Sequence, residues 1–375
     1  MNTFEAVISG SGLFTPPNTI TNDELVESFN LWVQDHNATH GEAIAAGLKE
    51  LKAESSAAFI EKASGIQQRF VMDKAGILDP KKMHPAISDR NDSDPSIQCE
   101  MALQAAHEAL DRAGRLPSAI DMVIVACSNL QRPYPAMAVE LQHYLGAGGF
   151  GYDMNVACSS ATFGLQAAAS AVQSGSARCV LVVNPEICTG HLNFRDRDSH
   201  FIFGDACTAA IVEREDQANL NNAFRIRSTK TWTQYSNNIR NNFGFLNRCD
   251  ESGIGQTDKL FVQNGRKVFK EVCPAVAEHI HGHLQSVGIK SDDLKRLWLH
   301  QANLSMNQLI GKKVLGRVPE PEEAPVILDQ YANTSSAGSM IAFHKHSADL
   351  NSGDRGIICS FGAGYSIGSV ILEKI

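Results

Sequence analysis

The sequence predicts an α/β fold in which buried mixed sheets lie between layers of helices. Apolar runs of strand length alternate along the chain with longer segments that have helical periodicity. Several strand runs, such as Met122–Cys127, are apolar at every position, which is typical of strands that are covered on both faces. The chain has 375 residues, of which 43% are hydrophobic, so it is long enough to form two halves that share a core.

The predicted elements fall into two groups along the chain. In the first group, strands are predicted at Ala6–Gly10, Met122–Cys127, Tyr152–Val156, Cys179–Asn184 and Thr208–Glu213. In the second group, they are predicted at Phe224–Thr231, Leu294–Leu299, Gly356–Ser360 and Ser369–Leu372. Apolar helices are predicted at Ile97–Ala113, Ser160–Ser174 and Leu260–Val287. In both groups an apolar helix precedes a strand that leads into a polar turn, which is a weak indication of duplication.

Composition and charge exclude several classes of protein. A net charge of −8 without a basic stripe argues against a nucleic-acid role. The longest apolar runs have strand length, and the first residues lack the basic and apolar regions of a signal peptide, so no membrane segment or secretion signal is predicted. The nine cysteines are scattered and form no CxxC motif, which indicates a reducing cytoplasm. All of them except Cys158 are predicted to be small core residues.

Cys158 lies at the junction between a predicted strand and a predicted helix rich in small residues. A sulfur at such a junction faces the N-terminus of the helix, where free N–H groups and the dipole favour a thiolate. The same N–H groups can stabilise an oxyanion on an attached acyl group. From this segment alone, a buried structural cysteine is an equally good interpretation.

Two later segments favour a catalytic role for Cys158. His300 follows a predicted strand in the sequence HQAN, and Asn333 lies in ANTSSAG, a polar turn before another helix of small residues. Cysteine, histidine and asparagine at three such junctions form a known nucleophilic combination, although it occurs on several folds. Taken singly, His300 would be a structural histidine and Asn333 a helix cap.

The segments around these three residues together resemble the ketoacyl-acyl-carrier-protein synthase III branch of the thiolase superfamily. Three further segments match this family in order: Phe203–Ala206, Asn264–Phe269 and Ser360–Ser369. The resemblance runs from about residue 7 to the end of the chain, and extra residues between Phe29 and Ala63 resemble its longer subgroup. It implies a five-layer α-β-α-β-α fold made of two thiolase-type halves. Residues 1–215 would carry the nucleophilic cysteine, and residues 216–375 the histidine and asparagine.

The resemblance also implies a reaction. Cys158 would take an acyl group from a coenzyme A thioester, with the backbone N–H of Cys158 and one from the loop of Gly362 and Gly364 holding the oxyanion. Malonyl-acyl carrier protein would then enter, and His300 and Asn333 would both donate hydrogen bonds to its thioester oxygen. Negative charge develops on that oxygen as carbon dioxide leaves, so preorganised donors stabilise the transition state. Condensation by this route needs no metal and no organic cofactor.

The chain departs from the family pattern at positions that are expected to bind the primer. At the positions where family members hold the coenzyme A adenine with a tryptophan and an arginine, this chain has Phe59 and Ala63, and Arg197 matches a second stacking arginine. Tyr134 resembles the aromatic residue that limits the acyl pocket, and Phe163 is a candidate gate or a core residue. The altered entrance and the long form favour a medium-chain primer, about octanoyl, over acetyl.

The resemblance also implies surfaces that bind acyl carrier protein and a second subunit. Acyl carrier protein is acidic, so its docking patch should be locally basic. Candidate docking residues are Lys312, Lys313, Arg266 and Lys267, although a solvated helix face explains them equally well. The family implies a homodimer in which Tyr134 reaches the pocket of the partner subunit.

Other functions remain open at this point. One is an acyltransferase that passes the acyl group from Cys158 to another acceptor without condensation. Another is a condensing enzyme of secondary metabolism, and a third is a non-catalytic acyl-binding protein that keeps the fold. Asn333 argues against the first, because such an enzyme needs a base more than a site for an enolate, and the intact Cys158 and His300 argue against the last.

Overall fold

The computed structural model describes residues 4–91, 93–251 and 259–375 of the chain. In chain order the strands are β1 (Ala6–Phe14), β2 (Asn18–Thr21), β3 (Gln68–Val71), β4 (Met122–Ala126), β5 (Phe150–Met154), β6 (Cys179–Ile187), β7 (Asp205–Arg214), β8 (Phe224–Ser236), β9 (Ile239–Asn241), β10 (Phe261–Gln263), β11 (Leu294–Leu299), β12 (Arg355–Gly362) and β13 (Gly364–Lys374). The helices are α1 (Asn22–Thr39), α2 (Gly41–Ala45), α3 (Ala57–Ser64), α4 (Ala75–Leu78), α5 (Ile97–Ala113), α6 (Met137–Leu145), α7 (Ser160–Ser174), α8 (Gly265–Ser286), α9 (Leu304–Leu315), α10 (Leu328–Tyr331) and α11 (Ala337–Lys345).

Nine strands form one mixed sheet whose strand order repeats. The order is β11-β12-β13-β8-β1-β7-β6-β4-β5. On one side of the β1–β8 contact, β4 runs parallel to β6, and β6 and β7 then pair antiparallel, as do β7 and β1. On the other side, β11 runs parallel to β12, followed by the antiparallel pairs β12–β13 and β13–β8. The two sets of strands therefore have the same connectivity, and only two residue pairs join β1 to β8.

Helices lie in three layers around these strands. Ile124 and Ala126 of β4 pack with α7 and α11 in a central core, whereas Val123 and Val125 pack with α5 and α6 in an outer one. On the far side, α8 and α9 form a third core with β11 and β12. The layers therefore follow the thiolase-like order α-β-α-β-α. Because both faces of the central strands are covered, their sequences are apolar at every position.

Local capping explains where several elements begin. The helices α5 and α7 have the predicted bounds, but the helix predicted at Leu260–Val287 begins only at Gly265. Asn264 caps it by accepting a hydrogen bond from the Lys267 N–H, and the residues before it form β10. The predicted division at residue 215 lies in the connection between β7 and β8, and as a domain boundary it stays a prediction.

Two further expectations concern the cysteines and membranes. Seven of the eight cysteines assigned to the core are buried, whereas Cys249 is exposed, so that expectation was wrong for Cys249. Among the helices of the described residues, none is both long and apolar enough to cross a membrane.

Candidate active site

The nucleophile candidate Cys158 lies on a tight turn between β5 and α7. The turn requires a left-handed backbone at Ala157, with a φ of 48°, which a small side chain tolerates at modest cost. The Asn155 side chain accepts a hydrogen bond from the Ala157 N–H at 2.9 Å, and Ser160 Oγ donates to the Ala157 carbonyl at 2.7 Å. These polar contacts fix the turn that carries Cys158.

The environment of the Cys158 sulfur favours the neutral thiol. Burial raises the pKa of Cys158 to about 11, and the negative charge of Glu186 adds to this shift. A hydrogen bond from Ser335 Oγ to the sulfur, at 3.4 Å, opposes the shift, as do backbone contacts from Ala363 and from Cys158 itself. The position before α7 was expected to favour a thiolate, but the loss of hydration on burial outweighs that contribution.

His300 follows β11 and is buried. Its backbone N–H donates to the Cys359 carbonyl at 2.8 Å, which extends the β11–β12 pairing by one residue. Burial lowers the pKa of His300 to about 4, and contact with the Ser335 backbone opposes part of this shift. The ring packs edge-on against Phe361, with 5.2 Å between centroids. At neutral pH the imidazole is therefore uncharged and has one N–H to donate.

The remaining residues of HQAN hold His300 in place. The Gln301 side chain donates to the Leu299 carbonyl at 2.9 Å and accepts from the Ile327 N–H at 3.1 Å. Asn303 caps α9 and donates to the Ala63 carbonyl at 2.8 Å. The strand end that carries His300 is thus fixed on both sides.

Asn333 precedes α11 and is oriented through both its backbone and its side chain. Its backbone N–H donates to the Ile202 carbonyl at 3.0 Å, and its own carbonyl accepts from Gly204 at 3.1 Å. Its Oδ1 accepts a hydrogen bond from the Ser335 N–H at 2.9 Å. With Oδ1 engaged in this way, the Nδ2 group is the part of the amide that can donate to a ligand.

Ser335 contacts all three predicted catalytic residues, although no sequence pattern had singled it out. It binds Asn333 through its N–H, Cys158 through its hydroxyl, and lies against His300 through its backbone. Its φ of 50° is unusual for a residue other than glycine. A serine within ANTSSAG has the sequence appearance of a helix cap, so only the three-dimensional arrangement reveals these contacts.

Glu186 is a second residue that sequence patterns did not identify. Its buried carboxylate accepts hydrogen bonds from the backbone N–H and hydroxyl of Ser128, at 2.9 and 2.6 Å, and from the N–H and hydroxyl of Ser336. Burial raises its pKa, which these hydrogen bonds partly oppose. Because four donors occupy the carboxylate, it serves to join the turn after β4 to the start of α11.

The glycine loop between β12 and β13 approaches Cys158 closely. A Cβ atom added to Gly362 would lie 2.6 Å from the Cβ of Cys158, so no larger residue fits there. Gly364 has a φ of 127°, which also favours glycine. The backbone of Ala363, between them, contacts the Cys158 sulfur. The role of Gly362 and Gly364 as oxyanion donors stays a prediction, and Ala363 is a further candidate in this loop.

These side chains converge on a cavity of about 700 Å³. Cys158, His300, Asn333 and Gly362 line its inner end. Its apolar wall includes the side chains of Phe201, Phe203, Phe261, Val268, Phe269 and Met306. A pocket of this size, with a few polar groups at one end and an apolar wall, suits a ligand with a long apolar part.

The predicted coenzyme A residues meet near the mouth of this cavity. Phe59 lines it, and the guanidinium carbon of Arg197 lies 4.1 Å from the centre of the Phe59 ring. Ala63, at the position where family members have an arginine, also lines the cavity.

The predicted acyl-pocket residues lie elsewhere in the single chain. Tyr134 is 81% exposed and is absent from the described lining of the cavity. Phe163 is half-buried on α7, close to Gly368. Within one chain, therefore, neither residue contributes to the cavity.

The predicted basic residues are exposed but form two separate groups. Arg266 lines the cavity at the start of α8, and Lys267 lies 3.9 Å from Glu271 in an ion pair. Lys312 and Lys313 lie in the last turn of α9, about 10 Å along the helix from the cavity-lining Ser305.

Comparisons with known proteins identify the family of the chain. Residues 152–229 match the family described as 3-oxoacyl-[acyl-carrier-protein (ACP)] synthase III, and residues 284–374 match its C-terminal family. The chain is 68% identical over 349 residues to a beta-ketodecanoyl-[acyl-carrier-protein] synthase of Pseudomonas aeruginosa, with coverage of 93% of this chain and 100% of the relative. It is 29% identical over 373 residues to a beta-ketoacyl-[acyl-carrier-protein] synthase III of Granulibacter bethesdensis, with coverage of 98% and 99%.

Two solved structures have the same fold. The priming beta-ketosynthase from the R1128 polyketide biosynthetic pathway superposes with a TM-score of 0.77 at 25% identity, covering 99% of this chain and 97% of that one. A 3-oxoacyl-[acyl-carrier-protein] synthase III from Aquifex aeolicus superposes with a TM-score of 0.76 at 24% identity, covering 98% and 99%.

Proposed function

Since the chain belongs to the 3-oxoacyl-[acyl-carrier-protein] synthase III family, we propose that it condenses a medium-chain acyl-coenzyme A primer with malonyl-acyl carrier protein. The product is a 3-oxoacyl-acyl carrier protein for fatty acid synthesis. The observation that carries this proposal is the convergence of Cys158, His300 and Asn333 on one apolar cavity.

The first half-reaction transfers the acyl group to the enzyme. The Cys158 sulfur attacks the carbonyl carbon of the primer, and the bond between that carbon and the coenzyme A sulfur breaks. The proton lost by Cys158 leaves on the released coenzyme A thiol. The raised pKa of the Cys158 thiol makes this attack more difficult. Backbone N–H donors compensate by holding the oxyanion that forms on the primer carbonyl.

The second half-reaction forms the carbon–carbon bond. Neutral His300 and the Asn333 amide each donate a hydrogen bond to the malonyl thioester oxygen. Loss of carbon dioxide leaves an enolate, whose carbon attacks the acyl-Cys158 carbonyl, and the Cys158 thiolate departs and takes a proton from water. Two uncharged donors suit this step, because an acidic residue would repel the enolate.

Two observations support a medium-chain primer. The cavity is apolar along much of its length and has a volume of about 700 Å³. Addition of two carbons to an octanoyl primer gives the 3-oxodecanoyl product that corresponds to the name of the Pseudomonas relative.

The proposal extends to assembly and location. We propose a homodimer, because β5 ends the large sheet and Phe150, at its start, is 50% exposed. Tyr134 would then reach the cavity of the partner subunit. A cytoplasmic location fits nine free cysteines. The route uses only thioester substrates, so the proposal includes no metal, organic cofactor, nucleic acid or membrane partner.

The test is a condensation assay with malonyl-acyl carrier protein and acyl-coenzyme A primers from acetyl to dodecanoyl. We expect product formation to peak near octanoyl and to vanish in Cys158→Ala. A strong preference for acetyl would contradict the proposed chain length. An acyl-Cys158 adduct without release of carbon dioxide would instead indicate transfer to another acceptor.

A further inference from the structure

The residues between Phe29 and Ala63 form a folded clasp next to the cavity mouth. We define the clasp as residues 30–55, which comprise the end of α1, α2 and a returning segment without regular structure. Asn30 donates to the Ser55 carbonyl at 3.1 Å and accepts from the Ser55 N–H at 2.8 Å. Asn37, two helical turns later, forms the same pair of hydrogen bonds with Lys52, at 2.9 and 3.0 Å.

The geometry of these contacts fixes the path of the returning segment. Asn30 and Asn37 are seven residues apart, so they lie on one face of α1. Each asparagine side-chain amide binds both the backbone N–H and the backbone carbonyl of one residue in the returning segment. A neighbouring β-strand would form the same two hydrogen bonds. The segment 52–55 therefore runs antiparallel to the helix in a fixed register.

The clasp holds the arginine at the cavity mouth. Arg197 Nε donates to the carbonyl of Glu54 at 2.7 Å, and its guanidinium lies over the Phe59 ring at 4.1 Å. Phe59 itself belongs to α3, which starts at Ala57 directly after the clasp, with Ser56 as its cap. Both members of the stacked pair are thus positioned by the same segment.

A second contact positions the loop that carries Arg197. Phe29, directly before the clasp, stacks on the buried His200 ring with 4.4 Å between centroids. His200 Nδ1 in turn lies 3.0 Å from the Arg197 carbonyl. The main chain and the side chain of Arg197 are therefore both held from α1 and its return.

The spacing of the stack limits how a nucleotide can bind. A purine between two flat groups needs about 7 Å between them, since each stacked pair is about 3.5 Å apart. At 4.1 Å, Arg197 and Phe59 are in direct contact, so a purine can lie between them only if the Arg197 side chain moves aside. Without such a movement, a purine can stack only on the accessible part of the Arg197 side chain, which is 36% exposed and whose Nη1 lies 3.9 Å from Asp198 Oδ1.

We propose that the clasp is a specificity element that fixes Arg197 on Phe59 as a platform for the nucleotide end of the primer. Asn30 and Asn37 act as positioning residues through the Glu54 carbonyl and Arg197. This inference rests on the proposed function, in that the primer is a coenzyme A thioester. It predicts that the clasp affects only substrates that carry the nucleotide.

The test compares octanoyl-coenzyme A with octanoyl-pantetheine, which lacks the nucleotide. In Asn30→Ala and Arg197→Ala we expect KM for octanoyl-coenzyme A to rise about five-fold, the value of one cation–π contact, with kcat unchanged. KM for octanoyl-pantetheine should not change. Gln34→Ala is the matched control, because Gln34 donates a hydrogen bond to the exposed Glu54 side chain, at 2.9 Å, and not to the backbone of the returning segment. The double variant Asn30→Ala/Arg197→Ala should have the same KM for octanoyl-coenzyme A as Arg197→Ala alone, because Asn30 acts through Arg197.

Several outcomes would overturn the inference. They are additive losses in the double variant, equal losses with both primers, or no loss in Asn30→Ala. Should Asn30→Ala fail to fold, Asn30→Asp keeps the acceptor for the Ser55 N–H, and Arg197→Ala truncates a half-buried side chain outside the hydrophobic cores. Calorimetric binding of coenzyme A to each variant separates this inference from the proposed function, because it requires no condensation.

Discussion

The Asn333 amide oxygen accepts the Ser335 N–H at 2.9 Å, which leaves the Asn333 Nδ2 group free to donate. The same interaction is available to aspartate, so Asn333→Asp should keep the local fold while it replaces a donor by a negative charge. We expect condensation to fall at least 100-fold, the usual cost of losing a preorganised donor to an oxyanion. Acylation of Cys158 should persist, and mass spectrometry of the intact protein would detect it. Loss of acylation in parallel with condensation would contradict this separation of roles.

The hydroxyl of Ser335 is expected to influence the reactivity of Cys158. Ser335→Ala removes the 3.4 Å hydrogen bond to the sulfur but keeps the backbone N–H that orients Asn333. We expect the alkylation rate by iodoacetamide to fall about five-fold, since one such hydrogen bond contributes about 1 kcal/mol. Ser339→Ala is a matched control, because this buried hydroxyl pairs with Ser360 instead. Equal effects in the two variants would mean that Ser335 acts only through packing.

The pH dependence of alkylation follows from the two shifted groups. Burial raises the pKa of Cys158 to about 11 and lowers that of His300 to about 4, so at pH 7 both are neutral. The thiolate fraction in the free enzyme is then about 10⁻⁴ and increases about ten-fold per pH unit up to the thiol pKa. We expect the alkylation rate to rise continuously from pH 6 to pH 10. A plateau near pH 7 would instead indicate a thiolate–imidazolium pair.

Carrier docking can be tested at the end of α9. Arg317, next to this helix, forms a bidentate ion pair with Glu323, at 2.6 and 2.5 Å. Lys312 and Lys313 are exposed and, within the described residues, form no ion pair. Lys312→Glu/Lys313→Glu should raise KM for malonyl-acyl carrier protein several-fold at low salt and less at high salt.

A matched pair of lysines provides the control for this experiment. Lys81 and Lys82 are also adjacent and exposed, with Lys82 4.0 Å from Asp79, and the same reversal there should leave KM unchanged. If the reversal at residues 312 and 313 has no effect at low salt, the carrier docks elsewhere, and Arg266 at the cavity becomes the next candidate.

The edge strand β5 allows a test of assembly. Phe150→Asp places a charge at the start of this edge, where the side chain is 50% exposed in the single chain. We expect the wild type to sediment as a dimer and the variant as a monomer with a similar thermal midpoint. Leu48→Asp, at an 80% exposed residue of the clasp, should remain dimeric. A monomeric wild type would refute the dimer proposal.

The sequence predicted the nine strands of the large sheet, with ends that differ by a few residues. Unbroken apolar runs and small-residue helices are local properties, so they can be recognised without knowledge of the fold. Cys158, His300 and Asn333 were found because each lies in a distinctive motif just before a helix, and the structure places all three on one cavity, although Asn333 follows the helix α10 and not a strand.

Contacts between distant segments could not be predicted in this way. Ser335 and Glu186 have ordinary neighbours in sequence, and each has a hydrogen-bond partner in the other half of the chain, Cys158 for Ser335 and Ser336 for Glu186. Likewise, the raised pKa of Cys158 depends on how completely the assembled layers exclude water, whereas the sequence shows only the helix that follows it.

The repeated strand order has a consequence for how the chemistry is divided. The turns before α7 and α11 occupy equivalent places in the two sets of strands, and they meet where Ser335 Oγ lies 3.4 Å from Cys158 Sγ. One copy of the turn supplies the nucleophile, and the other supplies the amide that receives the developing charge. Neither half could catalyse the reaction alone, so a protein split at the junction would recover activity only when both pieces reassemble.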